Sequence, residues 1–137
     1  MFKKLFEKKE KIKKILIVED DAMLSKVLAE SLKDEKNEVI IVENGLNVVD
    51  EAISISPNII LLDLVIPGID GFEVLKELKE ESKTKNIPVI VVSNLSQESD
   101  VRAVKSLGAL KYFIKANSSM SDIVQYVKNI IKKYDKK

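Results

Sequence analysis

The chain contains no cysteine and no histidine among its 137 residues. The lack of cysteine excludes disulfides, thiolate zinc sites and cysteine nucleophiles. The lack of histidine excludes a histidine-led catalytic triad and imidazole metal ligands. Any metal held by this chain is therefore expected to be a hard cation with oxygen ligands.

Tryptophan is also missing, aromatic residues make up only 5% of the chain, and no apolar run approaches the roughly 20 residues that a membrane-spanning helix requires. Residues 1–14 lack the apolar core of a signal peptide. Apolar residues still make up 45% of the chain, which is typical of a globular domain. We therefore expect one cytoplasmic domain without a membrane span.

The charge is unevenly distributed along the chain. Residues 1–14 carry a net charge of +5 and residues 128–137 carry +4, so the middle carries −8 out of a total of +1. An acidic body disfavours nucleic-acid binding. We predict a basic N-terminal extension (1–13), one domain (14–134) and a basic tail (135–137). The extension is either solvated or an amphipathic segment that docks on a membrane surface or a partner.

Short apolar runs alternate with amphipathic segments along the domain. Strands are predicted near residues 15–18, 39–42, 59–62, 88–92 and 110–114, and helices near 22–33, 46–55, 71–81, 101–107 and 119–134. The strands are continuously apolar, which indicates a sheet that is buried on both faces. The pattern predicts an α/β fold with a doubly wound, five-stranded parallel sheet.

Polar and charged residues follow the predicted strands. Glu19, Asp20 and Asp21 follow the first strand, Asp63 the third, Ser93 the fourth and Lys115 the fifth. In doubly wound sheets these strand ends meet at one edge, where the working site lies. Clustered carboxylates repel one another, and Mg²⁺ would relieve this repulsion. The acidic run has a plainer interpretation as well, since it also suits a helix N-terminus.

Four motifs in order resemble the receiver domain of two-component response regulators: "ILIVEDD", "LLDLVIPGIDGFEVL", "VIVVSN" and "GALKYFIK". The resemblance runs from about Lys14 to Ile131. It implies the flavodoxin-like strand order 2-1-3-4-5 and Asp63 as the phosphoacceptor. It also implies Mg²⁺ bound by Asp20, Asp63 and the backbone carbonyl of Val65, with Glu19 acting through water.

The resemblance also implies how the domain signals. Lys115 and Ser93 would contact the phosphoryl oxygens, and Ser93 with Tyr112 would form the switch that remodels the face of helix 4, strand 5 and helix 5. The phosphodonor would be a sensor histidine kinase or a phosphotransfer protein, and the output a downstream protein partner. The chain would not be an enzyme, apart from promoting its own phosphorylation and dephosphorylation.

One residue departs from the family pattern. Alanine follows Lys115 where the family usually has proline, and a cis bond before a non-proline costs about 3–4 kcal/mol. We therefore predict a trans Lys115–Ala116 peptide. The apolar Val65 and Leu95 would flank the phosphoryl group and hinder water, which predicts slow dephosphorylation.

The sequence is also compatible with other functions. A phosphorylation-independent pseudo-receiver would use the same fold as a binding module. An aspartate-nucleophile phosphatase usually needs a second aspartate two residues after the first, where this chain has Val65. A flavin-binding protein would need a Gly/Ser/Thr-rich phosphate loop after the first strand, and this chain has an acidic run there.

Overall fold

The computed structural model describes residues 12–135. Most of the predicted extension (1–11) and the last two residues of the predicted tail (136–137) lie outside the described residues. Within the described range, no helix is both long enough and apolar enough to cross a bilayer.

Five parallel strands form one sheet in the order β2-β1-β3-β4-β5, which confirms the predicted topology. The strands are β1 (Lys13–Val18), β2 (Asn37–Val42), β3 (Ile59–Leu62), β4 (Val89–Ser93) and β5 (Lys111–Ile114). Every residue of β3 and β4 is buried. This explains why the central strands are continuously apolar rather than alternating.

Within residues 12–135, five α-helices cover the two faces of the sheet. They are α1 (Ala22–Leu32), α2 (Val48–Ile55), α3 (Gly71–Glu80), α4 (Glu98–Ser106) and α5 (Met120–Asp135). Alternate residues of β1 point to opposite faces. Ile15 and Ile17 belong to the apolar cluster under α1 and α5, whereas Leu16 and Val18 belong to the cluster under α2, α3 and α4.

The helix ends follow local side-chain chemistry. Asp21 caps α1, with its side chain accepting hydrogen bonds from the backbone N–H groups of Met23 and Leu24. At α3, Asp70 and Glu73 have the sequence spacing of a capping box, but the Asp70 side chain accepts from the N–H of Phe72 and not from that of Glu73. The Ser119 hydroxyl accepts from the N–H of Asp122 at 3.0 Å, as expected for the start of α5.

Two short features lie at the carboxyl edge of the sheet. Val65–Ile66 and Ile69–Asp70 pair as an antiparallel ribbon that was not predicted, with Gly68 at φ +93° in its turn. After β5, Lys115–Asn117 form one turn of 3₁₀ helix. The Lys115–Ala116 peptide is trans, as predicted, since the described residues contain no cis bond.

Candidate functional site

The ends of β1 and β3 bring two carboxylates side by side. Val18 pairs with Leu62 in the parallel register, so the next residues, Glu19 and Asp63, leave the sheet together. The N–H of Asp63 still donates to the carbonyl of Val18 at 3.0 Å. Both residues are buried, Glu19 with 3% and Asp63 with 5% of its surface exposed. The sheet therefore holds two acidic side chains in positions fixed by the backbone.

Hydrogen bonds orient the Asp63 carboxylate through both of its oxygens. Oδ1 accepts from the backbone N–H of Val65 at 3.1 Å, and Oδ2 accepts from the Lys115 ammonium at 2.8 Å. Buried carboxylates need such donors because desolvation penalises an unpaired charge. The Asp63 side chain is consequently held rigidly at the end of β3.

Lys115 bridges both buried carboxylates from the end of β5. Its Nζ lies 2.8 Å from Asp63 Oδ2 and 2.7 Å from Glu19 Oε1. Burial by itself would lower the pKa of the Lys115 ammonium, but the hydrogen bonds and charges of Asp63 and Glu19 outweigh burial and raise this pKa. Lys115 therefore stays protonated. The direct contact between Lys115 and Glu19 was not predicted, since the family resemblance implies only a water-mediated role for Glu19 at the metal.

Burial raises the pKa of the Glu19 carboxyl above its ordinary value, although Lys115 and the backbone N–H of Asp21 act in the opposite direction. At this carboxyl the folded state therefore holds a proton to higher pH than the unfolded chain, whose reference pKa is 4.5. In metal-free buffer the contribution of Glu19 to the free energy of unfolding should fall as the pH rises from 4.5 through the raised pKa.

Denaturant titrations in EDTA at several pH values would measure this dependence, with Glu19→Gln as the comparison. The substitution should flatten the pH dependence, whatever it does to the absolute stability. Identical pH profiles for the two proteins would contradict the assignment.

Three acidic residues could share one cation. One carboxylate oxygen each from Glu19, Asp20 and Asp63 lies within 4.8 Å of the other two. Asp20 is exposed, so a cation could reach this group from solvent. Asp21 is not a member, because its Oδ1 caps α1 at 3.0 and 3.1 Å from two backbone nitrogens. A donor set made only of oxygens fits a hard divalent cation such as Mg²⁺.

An open cleft of about 350 Å³ lies above these carboxylates. Its lining residues are Glu19, Asp20, Asp21, Asp63, Val65, Asn94, Leu95 and Lys115. The structure thus brings together the predicted carboxylates, the predicted lysine and both predicted apolar flanks. Asp21 was already expected among the carboxylates after β1, whereas Asn94 is an additional member, and its position directly after β4 is the signal that could have found it.

Comparison with known proteins assigns the family. The model of the response regulator receiver domain matches residues 15–128. The chain belongs to the response regulator receiver family. A curated relative is sporulation initiation phosphotransferase F of Bacillus subtilis, which is 33% identical over 121 residues covering 88% of this chain and 92% of that protein.

Solved receiver structures share the fold. The phosphorylated cyanobacterial phytochrome response regulator RcpA superposes with a TM-score of 0.71 at 32% identity, covering 87% of this chain and 91% of that one. The Mn²⁺-bound form of response regulator Rcp1 gives a TM-score of 0.69 at 34% identity, covering 86% and 91% of the two chains. The fold of this receiver domain is thus that of its family.

The two predicted switch residues of this receiver domain, Ser93 and Tyr112, are not among the residues that line the cleft. Ser93 is fully buried at the end of β4, and its hydroxyl makes no hydrogen bond of normal geometry, although its proximity to the Tyr112 phenol acts to lower the pKa of that phenol. Tyr112 on β5 is partly buried, and its hydroxyl donates to the carbonyl of Leu95. Burial raises the pKa of the Tyr112 phenol, so it keeps the proton that it donates.

Replacing Ser93 with alanine should raise the free energy of unfolding by about 1 kcal/mol, because an unpaired buried hydroxyl costs about 1–3 kcal/mol. Thr84 provides the matched control. It is also fully buried, but its hydroxyl donates to the carbonyl of Leu78 at 2.7 Å. Thr84→Val should therefore lower the stability. Chemical denaturation measures both variants, and a loss of stability in Ser93→Ala would contradict the expectation.

Proposed function

We propose that this receiver domain accepts a phosphoryl group on Asp63 from a sensor histidine kinase or a phosphotransfer protein. One observation carries the proposal: Asp63 is a buried carboxylate, oriented by the Lys115 ammonium and the Val65 N–H, at the floor of an open acidic cleft. The names of two relatives support it, since one is a phosphotransferase and another was crystallised in a phosphorylated form.

The proposed reaction is an in-line transfer between two nucleophiles. A carboxylate oxygen of Asp63 attacks the phosphorus of a phosphohistidine, the new P–O bond forms, and the P–N bond breaks. The electron pair of that bond returns to the imidazole, which takes up a proton. Lys115 already lies within hydrogen-bond distance of Asp63 Oδ2, so its charge is in place for the phosphoryl oxygens without reorganisation.

The cation completes the charge balance of the proposed site. Asp20, Asp63 and the backbone carbonyl of Val65 would hold Mg²⁺, and Glu19 would act from the neighbouring position through water. When bound, the metal neutralises negative charge on the carboxylates and the phosphoryl group. The oxygen-only cluster and the Mn²⁺-bound relative support this ligand type.

The proposed switch uses the unpaired hydroxyl beside the cleft. A phosphoryl group on Asp63 adds nearly two negative charges, and Ser93 has a free hydroxyl to donate to them. Movement of Ser93 would free space for Tyr112 to give up its bond to Leu95 and turn inward. The face formed by α4, β5 and α5 would then change shape for a downstream protein partner.

Incubation with a small phosphodonor and Mg²⁺, followed by intact-mass measurement, tests the proposal. The wild-type protein should gain one phosphoryl group, and Asp63→Asn should gain none. Asp122→Asn is the matched control, because Asp122 is an exposed aspartate at the start of α5 and does not line the cleft. If the wild-type chain gained no mass at any metal concentration, the domain would be a phosphorylation-independent binding module instead.

Val65 and Leu95 are expected to slow the loss of the phosphoryl group. Both line the cleft, and Val65 is 59% exposed there, so a polar side chain at this position could hold an attacking water. Val65→Asn should speed dephosphorylation about tenfold, which corresponds to about 1.4 kcal/mol in the barrier.

Decay of the phosphorylated mass after removal of the donor measures this rate. Val27→Asn provides the control, since Val27 is an exposed valine on α1 outside the cleft. Equal decay rates for wild type and Val65→Asn would contradict a shielding role for the valine.

A further inference from the structure

A second groove lies between α2 and α3, on the face of the sheet opposite α1 and α5. It has a volume of about 280 Å³. Its lining includes the apolar residues Leu46, Val49 and Ile69, which we call the floor, and the exposed carboxylates Asp50, Glu73 and Glu77, which we call the rim. Leu46 is 66% exposed. The groove thus offers apolar surface surrounded by negative charge, and neither the proposed phosphoryl transfer nor the proposed switch uses it.

The charges of the residues that line the groove indicate what kind of ligand would bind there. The described residues that line the groove include three carboxylates and no lysine or arginine. A well-matched ligand would therefore combine apolar side chains with several positive charges. Desolvating an apolar side chain on the floor favours binding, and cations at the rim would offset the repulsion among the carboxylates.

Residues 1–11 of this chain have that chemistry. The segment reads "MFKKLFEKKEK", with five lysines, two glutamates and four large apolar residues. Leu5 and Phe6 lie three and four residues after Phe2, the spacing that aligns side chains on one side of a helix. The remaining surface of such a helix would be mainly lysine, which suits an acidic rim.

The segment also joins the domain at a suitable place. The N–H of Lys14 donates to the Asn58 side chain at 2.8 Å, and Lys14 Nζ donates to the carbonyl of Ile55 at 3.2 Å. The chain therefore enters β1 beside the C-terminal end of α2. Helix α2 has eight residues, so it is about 12 Å long. Eleven residues span about 16 Å as a helix, enough to reach back along α2 to the groove.

We propose that residues 1–11 dock into the groove between α2 and α3 of the same molecule, with phenylalanine and leucine side chains on its floor and lysines at its acidic rim. Tethering makes a weak contact sufficient, because a short linker gives an effective concentration on the order of millimolar. The docked segment would cover Leu46.

Docking would also restrain the loop that follows Asp63. The N–H of Gly45 donates to the carbonyl of Pro67 at 3.2 Å, and Leu46 packs against Gly68 in the turn of the ribbon. A segment resting on Leu46 would therefore press on the ribbon that begins at Val65. This consequence does not depend on whether Asp63 is phosphorylated.

The lack of cysteine permits a direct test on the full chain. A nitroxide attached to Lys4→Cys labels one position only, and its paramagnetic broadening of amide NMR signals reports proximity. We expect the amides of residues 45–50 and 73–77 to broaden more strongly than those of α1 and α5. The effect should weaken severalfold when NaCl is raised from about 0.05 to 0.5 M, because salt screens exposed charges.

Two substitutions on the same helix separate docking from general charge effects. Glu77→Lys reverses a charge at the rim and should abolish most of the broadening. Glu80→Lys reverses an exposed charge on α3 that does not line the groove, and it should leave the broadening nearly unchanged. Equal effects of the two reversals would overturn the proposal.

A mixing experiment identifies the occupant. The spin-labelled protein, prepared without NMR isotopes, is mixed with isotope-labelled protein that carries no nitroxide. Docking within one molecule then gives no broadening of the isotope-labelled signals. Broadening in the mixture would show that a second copy fills the groove. The proposal would also be overturned if broadening were absent from the spin-labelled chain or centred on α1 and α5, or if it appeared only with anionic vesicles.

Discussion

Replacing Lys115 with methionine should slow phosphorylation of Asp63 by on the order of 100- to 1,000-fold, the usual cost of removing one preorganised donor that stabilises developing charge. Methionine keeps most of the length and the apolar contacts of the lysine stem and removes only the ammonium. That ammonium lies 2.8 Å from Asp63 Oδ2, where the proposed mechanism places negative charge during transfer. The time course of mass gain from a small phosphodonor measures the rate.

The same substitution should not weaken metal binding. Removing a positive charge beside Glu19 and Asp63 leaves the carboxylate cluster more negative, so Mg²⁺ affinity should stay equal or increase. A slow reaction with intact metal affinity would assign Lys115 to the transfer step. Lys105→Met is the control, since Lys105 is an exposed lysine on α4 away from the cleft. If Lys115→Met were phosphorylated at the wild-type rate, the Lys115 ammonium would have no role in phosphoryl transfer.

The position of the site was predictable from the sequence because parallel topology leaves little choice. Asp63 and Lys115 are 52 residues apart in the chain, yet their charged atoms lie 2.8 Å apart. Each directly follows a strand of the same parallel sheet, and the carboxyl ends of such strands meet at one edge. The strand order itself came from resemblance to the family, not from the apolar pattern, which fits several orders.

The contacts within the site were less predictable because they depend on side-chain directions. The chain has many lysines, and nothing in the sequence shows that Lys115 contacts Glu19 as well as Asp63. The unpaired hydroxyl of Ser93 depends on what surrounds it in three dimensions. The ribbon after β3 has strands of two residues each, which are too short to produce a periodic pattern.

Gly71 is the strongest case of a contact hidden from the sequence. The motif around it suggests a loop that shapes the site, but the structure shows a close backbone approach. A Cβ at position 71 would lie 2.3 Å from Leu64 Cα and 2.5 Å from the Leu64 carbonyl oxygen. The N–H of Gly71 donates to that oxygen at 3.1 Å. Since Leu64 directly follows Asp63, this hydrogen bond holds the start of α3 against the backbone of the loop that follows the proposed phosphoacceptor.

Gly71→Ala should therefore lower the free energy of unfolding by about 3 kcal/mol, the upper part of the usual range for overpacking, because both clashing partners are backbone. It should also slow phosphorylation of Asp63 by on the order of 100-fold, since a displacement of about 1 Å misaligns the reacting atoms. Denaturant titration and the mass time course measure the two effects.

Lys76→Ala, at an exposed position on the same helix, should change the stability by no more than about 0.5 kcal/mol. If Gly71→Ala were as stable as Lys76→Ala, the close packing of α3 on Leu64 would not contribute to the fold, and the loop after Asp63 would have to be positioned by the Lys115 and Val65 contacts alone.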